Sequence, residues 1–422
     1  MTQGLSVGGG GTSTLTIRNG GRVASGSGFI GIGAGTAGSA TVLVTDPGSQ
    51  WTVTQDLGVF GAGTGTLTIQ NGGQVTSNTG TIGGYVPGSS GTVLVTGTGS
   101  RWTVAQDLSI GVASFFNGAG TGSLSIRDGG QVTSATGSVG SQPGSTGTVT
   151  VTDPRSVWSV TNILVVGGAG SGTLTIQNGG QVSSASGSIG SQAGSTGTVT
   201  VTDPGSQWAV THRLSVGDAG TGTLSIQNGG RMSSADGFVG ALPGASGTVT
   251  IMGAGSQWAL TNILRLGLGP ADAPGGTITL MGNYTQQAGV LDLEIAGTGA
   301  GQFDQFLIHG AANFQGGSID ISFINGFLPH AGDTFDFMLA DLGITLGPGV
   351  TFLTEGVGPG FEFSTTALDG VFEFTALTNG QSVPEPPAIL VWVGAGIVLA
   401  WFQFRRLRGL TETGSRTARR GR

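Results

Sequence analysis

Cysteine is absent from the 422 residues. That excludes a disulfide framework, a zinc–thiolate site, an iron–sulfur cluster and a cysteine nucleophile. Lysine is absent too, and all 15 basic residues are arginine. Walker-type phosphate loops, Schiff-base chemistry and Ser–Lys dyads therefore have no lysine to use. Charge of either sign is scarce. Charged residues make up 9% of the chain, where ordinary globular domains carry about 25%. Long amphipathic helical patterns are missing before residue 387.

Glycine is abundant instead, at 86 residues, and hydrophobic residues still make up 37%. The glycines do not recur every third residue, which excludes collagen. Charge is unevenly placed. Residues 405–422 hold seven arginines and one acid, Glu412, whereas residues 1–404 carry a net charge of −13. A sparse acidic body repels phosphate backbones, so nucleic acid is not an expected partner.

Tryptophan reveals a period. Trp51, Trp102, Trp158, Trp208 and Trp258 are 51, 56, 50 and 50 residues apart. Asn19, Asn71, Asp128, Asn178 and Asn228 each precede two glycines with the same rhythm. Each 50-residue unit then divides. Gly172–Val182 and Gly197–Trp208 share an opening, a turn and a following apolar residue, and the opening recurs every 25 residues from Gly122 to Gly247. The longer step before Gly122 contains residues 113–117, which read as a loop insertion.

Within a unit the pattern has period two. Leu174 and Ile176 alternate with Thr173 and Thr175, and Val199 and Val201 with Thr198 and Thr200. Short alternating runs bounded by glycine predict strands. Three short strands per 25 residues, without helices, predict one coil of a parallel β-helix. The expected fold class is thus all-β: a parallel β-helix of about eleven 25-residue coils over residues 1–280, starting mid-repeat. A β-propeller is the alternative for a 50-residue period, but the half-repeat makes 25 the unit. An irregular β cap follows at 281–380, a proline-rich linker at 381–387, one transmembrane helix at 388–404 and an arginine-rich cytoplasmic tail at 405–422. Leu5–Gly8 matches Leu214–Gly217, which closes a coil, so a further segment is expected upstream.

The C-terminal stretch carries the most specific motif. Pro384-Glu385-Pro386 precedes an apolar run from Ala388 to Phe404, broken only by Gln403, and Arg405, Arg406 and Arg408 follow. The run is at the short end of what spans a bilayer. Arginines behind it are expected to stay cytoplasmic and leave residues 1–383 outside. This order of motif, helix and arginine cluster resembles the PEP-CTERM sorting signal of Gram-negative bacteria. The resemblance implies inner-membrane anchoring, recognition of Pro384, Glu385 and Pro386 by an exosortase-type sorting enzyme, retention by Arg405, Arg406 and Arg408, and then release or transfer to the cell surface. It also implies a setting of exopolysaccharide production and biofilm. The tail runs 14 residues past Arg408, longer than the family pattern. Separately, the repeats resemble autotransporter passenger β-helices. The implied function is an exported, non-enzymatic structural or adhesive protein of the cell surface or extracellular matrix. The alternatives are a β-helix polysaccharide-degrading enzyme and an autotransporter-like adhesin fragment.

Candidate chemistry is thin. Histidine occurs only at 212, 309 and 330, and nothing marks a nucleophile elbow or zinc spacing. Asp46, Asp153 and Asp203 share an Asp-Pro turn. Two coils separate Asp153 from Asp203, about 9–10 Å, near the spacing of inverting glycosidases. Sister turns carry Gly97 and Gly253 there, so a turn role is expected. Residues 299–304 faintly resemble a glycine-rich calcium turn. No catalytic, cofactor or metal site is assigned. The tryptophans are expected to fill the core; exposed, they would stack on sugars.

Overall fold

A computed structural model describes residues 3–382, apart from positions 10, 32–37, 62–63, 85–87, 113–118, 241, 243–244, 254, 267–276, 282–283, 287–289 and 300. Every described element is a strand, and the chain winds as a stacked series of coils with parallel neighbours. Each coil from Thr12 to Leu266 contributes one strand to each of three sheets. We name these the threonine face, the tryptophan face and the closing face, in the order the chain visits them. The parallel β-helix expected for the repeats is therefore present, with ten coils sharing the tryptophan face.

The alternation dictates this winding. In Thr196–Thr202 the odd side chains Val199 and Val201 are fully buried, while Thr198 and Thr200 point outward. Val199 sits beside Leu174 and Leu224 on the neighbouring strands, and Val201 beside Ile176 and Ile226. Because a one-residue slip would turn the buried set to solvent, the register holds without a shift.

The corner between the threonine and tryptophan faces explains the two alternating turn sequences. Asn19, Asn71, Asp128, Asn178 and Asn228 adopt φ of 49–55°, a left-handed conformation that asparagine and aspartate tolerate. In the alternate coils Asp46, Asp153 and Asp203 have φ of 75–77°, and Gly97 and Gly253 take the equivalent place at 86° and 84°. A serine from each of these alternate turns reaches back to the preceding coil. The Gly179 amide donates to Ser206 Oγ at 3.0 Å, and the Gly129 amide to Ser156 Oγ at 3.0 Å.

Tryptophan adds a second tie between the same coils. Trp51, Trp102, Trp158 and Trp208 are fully buried. Each indole is too large for one layer and leans into the coil before it. There its Nε1 donates to a buried serine: Trp102 to Ser77 at 3.2 Å, Trp208 to Ser184 at 3.1 Å. The ring tip occupies the space above a glycine of the closing face. A Cβ at Gly187 would lie 2.9 Å from Trp208 Cζ2, and one at Gly137 would lie 2.7 Å from Trp158 Cζ2. The coil repeats every 25 residues, but this Trp–Ser–Gly interlock repeats every 50.

Past residue 280 the winding continues for three more coils. The threonine and closing faces extend through Gln305–Ile308 and Gly317–Phe323, while a new three-stranded sheet replaces the tryptophan face. Then the direction reverses. Val371–Ala376 pairs antiparallel with Thr334–Ala340 and with Phe363–Leu368. Phe335, Phe337, Phe372 and Phe374 fill the interior there, with Phe363 stacked on Phe374 at 4.8 Å between ring centroids. Larger aromatic rings replace the Val/Leu/Ile columns there.

Candidate functional surface

Two of the three long faces are polar ladders. On the threonine face, strands Thr121–Arg127, Thr146–Thr152, Ser171–Gln177, Thr196–Thr202, Thr221–Gln227 and Ser246–Met252 present threonine or serine at the first, third and fifth positions throughout. On the tryptophan face, glutamine and arginine line up outside the buried tryptophans. Gln50 donates to Gln74 at 3.3 Å, and Arg101 donates to Gln131 at 2.7 Å.

The Asp-Pro carboxylates belong to the turns that hold them. Asp46 Oδ2 accepts from the Asn19 amide at 3.2 Å, and Asp203 Oδ2 from the Asn178 amide at 3.3 Å. Their other oxygens accept from Thr45 and Thr202. Asp46 and Asp203 therefore cap the turn of the preceding coil, and Asp153 accepts from Thr152 Oγ1 at 3.3 Å.

The three histidines are dispersed. His212 Nδ1 lies 3.3 Å from Thr211 Oγ1, His309 Nδ1 lies 2.9 Å from Asp341 Oδ2, and His330 lies 3.8 Å from Asp333. Among the described residues no three histidines, aspartates or glutamates are grouped as a metal site would require. In the segment 299–304, Asp304 points inward, fully buried, and its Oδ2 accepts from the Glu294 amide at 2.8 Å. Trp51, Trp102, Trp158 and Trp208 turn their rings to the core, so none of these four indoles offers a face to a sugar, while Trp258 is half-buried with its Nε1 donating to Ser234 at 3.0 Å.

One charged cluster was not apparent in the sequence. Arg265, Asp292 and Asp320 stand in register on successive strands of the closing face. Arg265 forms an ion pair with Asp292, and Ser322 Oγ donates to Asp292 Oδ1 at 3.3 Å. Burial pushes the Asp292 carboxyl above its ordinary range; Arg265 and Ser322 oppose that, and Asp320 adds to it. Neighbouring parallel strands hold two carboxyls about 4.8 Å apart, close to the spacing of retaining glycosidases. Asp292, however, is only 2% exposed, so a glycosidic oxygen has no route to it. The legible signal was a shared apolar–charged–apolar triplet, Leu264-Arg265-Leu266, Leu291-Asp292-Leu293 and Ile319-Asp320-Ile321. Only the register shows that these triplets are stacked.

Pro384, Glu385, Pro386, Arg405, Arg406 and Arg408 lie outside the described residues, as does the expected membrane helix at 388–404. Among the described residues no helix is long and apolar enough to cross a membrane.

No family model matches the chain. A stretch of 109 residues, 25% of the chain, is 36% identical to part of the BmaC autotransporter adhesin of Brucella suis biovar 1 (strain 1330). That stretch takes up only 3% of the adhesin's length. Among solved structures, the crystal structure of a TibC-catalysed hyper-glycosylated TibA fragment aligns over 84% of this chain and 92% of its own, at 15% identity and a TM-score of 0.31. The chain is an all-β parallel β-helix, and a quarter of it is similar in sequence to a segment of an autotransporter adhesin.

Proposed function

We propose that this chain is an exported, non-enzymatic structural or adhesive protein that works at the cell surface or in the extracellular matrix. The observation that carries this reading is the unbroken coil stack. From Thr12 to Met252 the outward side chains of the threonine face form continuous ladders, and a stiff rod of that kind acts by contact along its length. The partial similarity to an adhesin supports the adhesive half of the proposal.

In this reading the C-terminal signal directs the rod outward. Residues 388–404 anchor it in the inner membrane with residues 1–383 outside the cytoplasm. An exosortase-type enzyme recognises Pro384, Glu385 and Pro386, and Arg405, Arg406 and Arg408 hold the tail on the cytoplasmic side until cleavage. An exopolysaccharide is the proposed matrix partner. No cofactor enters the mechanism.

The test is the mature C-terminus, read by mass spectrometry on protein recovered from the surface of a host with an exosortase-type system. The expected product ends near Pro384 and lacks Arg405–Arg422. Pro384→Ala combined with Glu385→Ala should leave the tail intact and the protein in the inner membrane. Wild-type protein that keeps its arginine tail and never leaves that membrane would overturn the sorting route. Protein that stays inaccessible to protease after the outer membrane is permeabilised would overturn export itself.

A further inference from the structure

The threonine face has a property that adhesion by a rod does not require. On the six strands between Thr121 and Met252, every first, third and fifth side chain is threonine or serine. The strands are paired without a register shift: Ser123, Thr148, Thr173, Thr198, Thr223 and Thr248 form one straight row. Ser125, Thr150, Thr175, Thr200, Ser225 and Thr250 form the next. Side-chain ladders of this kind are among the features that stabilise flat sheets. Neighbouring strands are ~4.8 Å apart, and alternate residues along a strand are ~6.7 Å apart. The result is a two-dimensional lattice of one chemical group.

The group is well suited to be a lattice point. Threonine carries a hydroxyl and a methyl on a stiff χ1, so both are held in place before any partner arrives. A hydroxyl both donates and accepts. Among the described residues, no protein group takes up the hydroxyls of Thr148, Thr173, Thr198, Thr223 or Thr248. Preorganisation lowers the ordering cost of binding.

The chemistry narrows the partner. These eighteen lattice positions carry no charge, so an ionic polymer finds no counter-charge. Of the repeat tryptophans that could stack on sugar rings, Trp51, Trp102, Trp158 and Trp208 are fully buried and Trp258 is half-buried. A small ligand is normally enclosed in a concave site, and a sheet face encloses nothing. A single polymer strand would meet one row, whereas this array repeats in both directions. Crystalline water repeats in two directions, is neutral, and both donates and accepts at every point. The two repeats of the face are close to the oxygen spacings on the prism face of hexagonal ice. We propose that the threonine face between Thr121 and Met252 binds the surface of ice. The proposal stands apart from the sorting route, since it uses only the described coils.

Ice-affinity partitioning and recrystallisation inhibition test it, with the purified full-length chain. The wild type should enter slowly grown ice and keep frozen crystals small. Thr173→Tyr with Thr198→Tyr places two bulky side chains mid-lattice and prevents simultaneous engagement of the rows. Its inhibitory potency should fall by about tenfold or more. Gln181→Tyr with Gln207→Tyr, on the tryptophan face of the same coils, should behave as wild type. If the first pair loses the β signal in circular dichroism, Thr173→Val with Thr198→Val removes the hydroxyls while keeping the shape, and should weaken partitioning. Exclusion of the wild type from ice, to the level of a non-binding globular protein, would overturn the proposal. So would unchanged partitioning of a folded lattice variant. Retention on microcrystalline cellulose without entry into ice would overturn it as well, and would assign the face to an ordered glycan.

Discussion

Replacing Gly187 with alanine tests the interlock between coils. The added Cβ would fall 2.8 Å from Leu214 Cδ1 and 2.9 Å from Trp208 Cζ2. The indole cannot retreat easily, because its Nε1 is held by Ser184 at 3.1 Å and its ring is fully buried. Overpacking of this kind costs about 1–3 kcal/mol, against a gain of about 0.5–1 kcal/mol from replacing glycine within a strand. A net loss of up to about 2.5 kcal/mol is expected. Trp208→Phe removes the ring tip that fills the space above Gly187 and leaves Ser184 without its donor, so it should also destabilise. In the double variant the alanine methyl occupies the vacated space. The two changes should therefore be non-additive, with the pair more stable than the sum by at least about 1 kcal/mol. Native-state hydrogen exchange at the amides of Val210 and Leu214 reads this locally, which suits a stacked repeat that can open coil by coil. Additivity to within about 0.5 kcal/mol would refute the interlock.

Other consequences are simpler. Arg155 has φ of 69° where Gly48, Gly99, Gly205 and Gly255 stand in sister turns; Arg155→Gly should stabilise the chain by about 1 kcal/mol in thermal or denaturant unfolding. Asp292 is an acid whose carboxyl is raised by burial, so the folded chain holds that proton more tightly than the unfolded one. Stability should fall as pH rises from its ordinary value of 3.8 through the raised one, and Asp292→Asn should flatten that decline in unfolding curves taken across the acid range. Arg265→Met leaves Asp292 buried without its cation and should cost about 3–5 kcal/mol at neutral pH. The cost should shrink in acid, where Asp292 is protonated.

The repeat was legible because few residues carry it redundantly. Alternation in Thr198–Val201, the left-handed Asn-Gly-Gly corner and the 25-residue step each point to the same coil. The Asp-Pro carboxylates could be read as turn residues because glycine replaces them in sister coils. Less legible was the reason for the 50-residue period. Ser184 and Gly187 are ordinary residues in a glycine- and serine-rich chain, and only the lean of Trp208 into the preceding layer connects them. The stretch after residue 280 resisted for a related reason. Its coils differ in length, so Leu291 and Ile319 keep their facing partners while the sequence spacing no longer repeats. The Arg265–Asp292–Asp320 stack was hidden in that same stretch.

The back-reaching serine and the leaning indole bind the same two neighbours, the coil with the Asn-Gly-Gly corner and the one that follows it. Removal of a single 25-residue storey would set like beside like, with two indoles competing for one gap or two small-residue floors leaving a hollow. Gene-level growth or shrinkage of this filament is therefore constrained to even numbers of storeys, and its length is quantised in steps of about 9.6 Å.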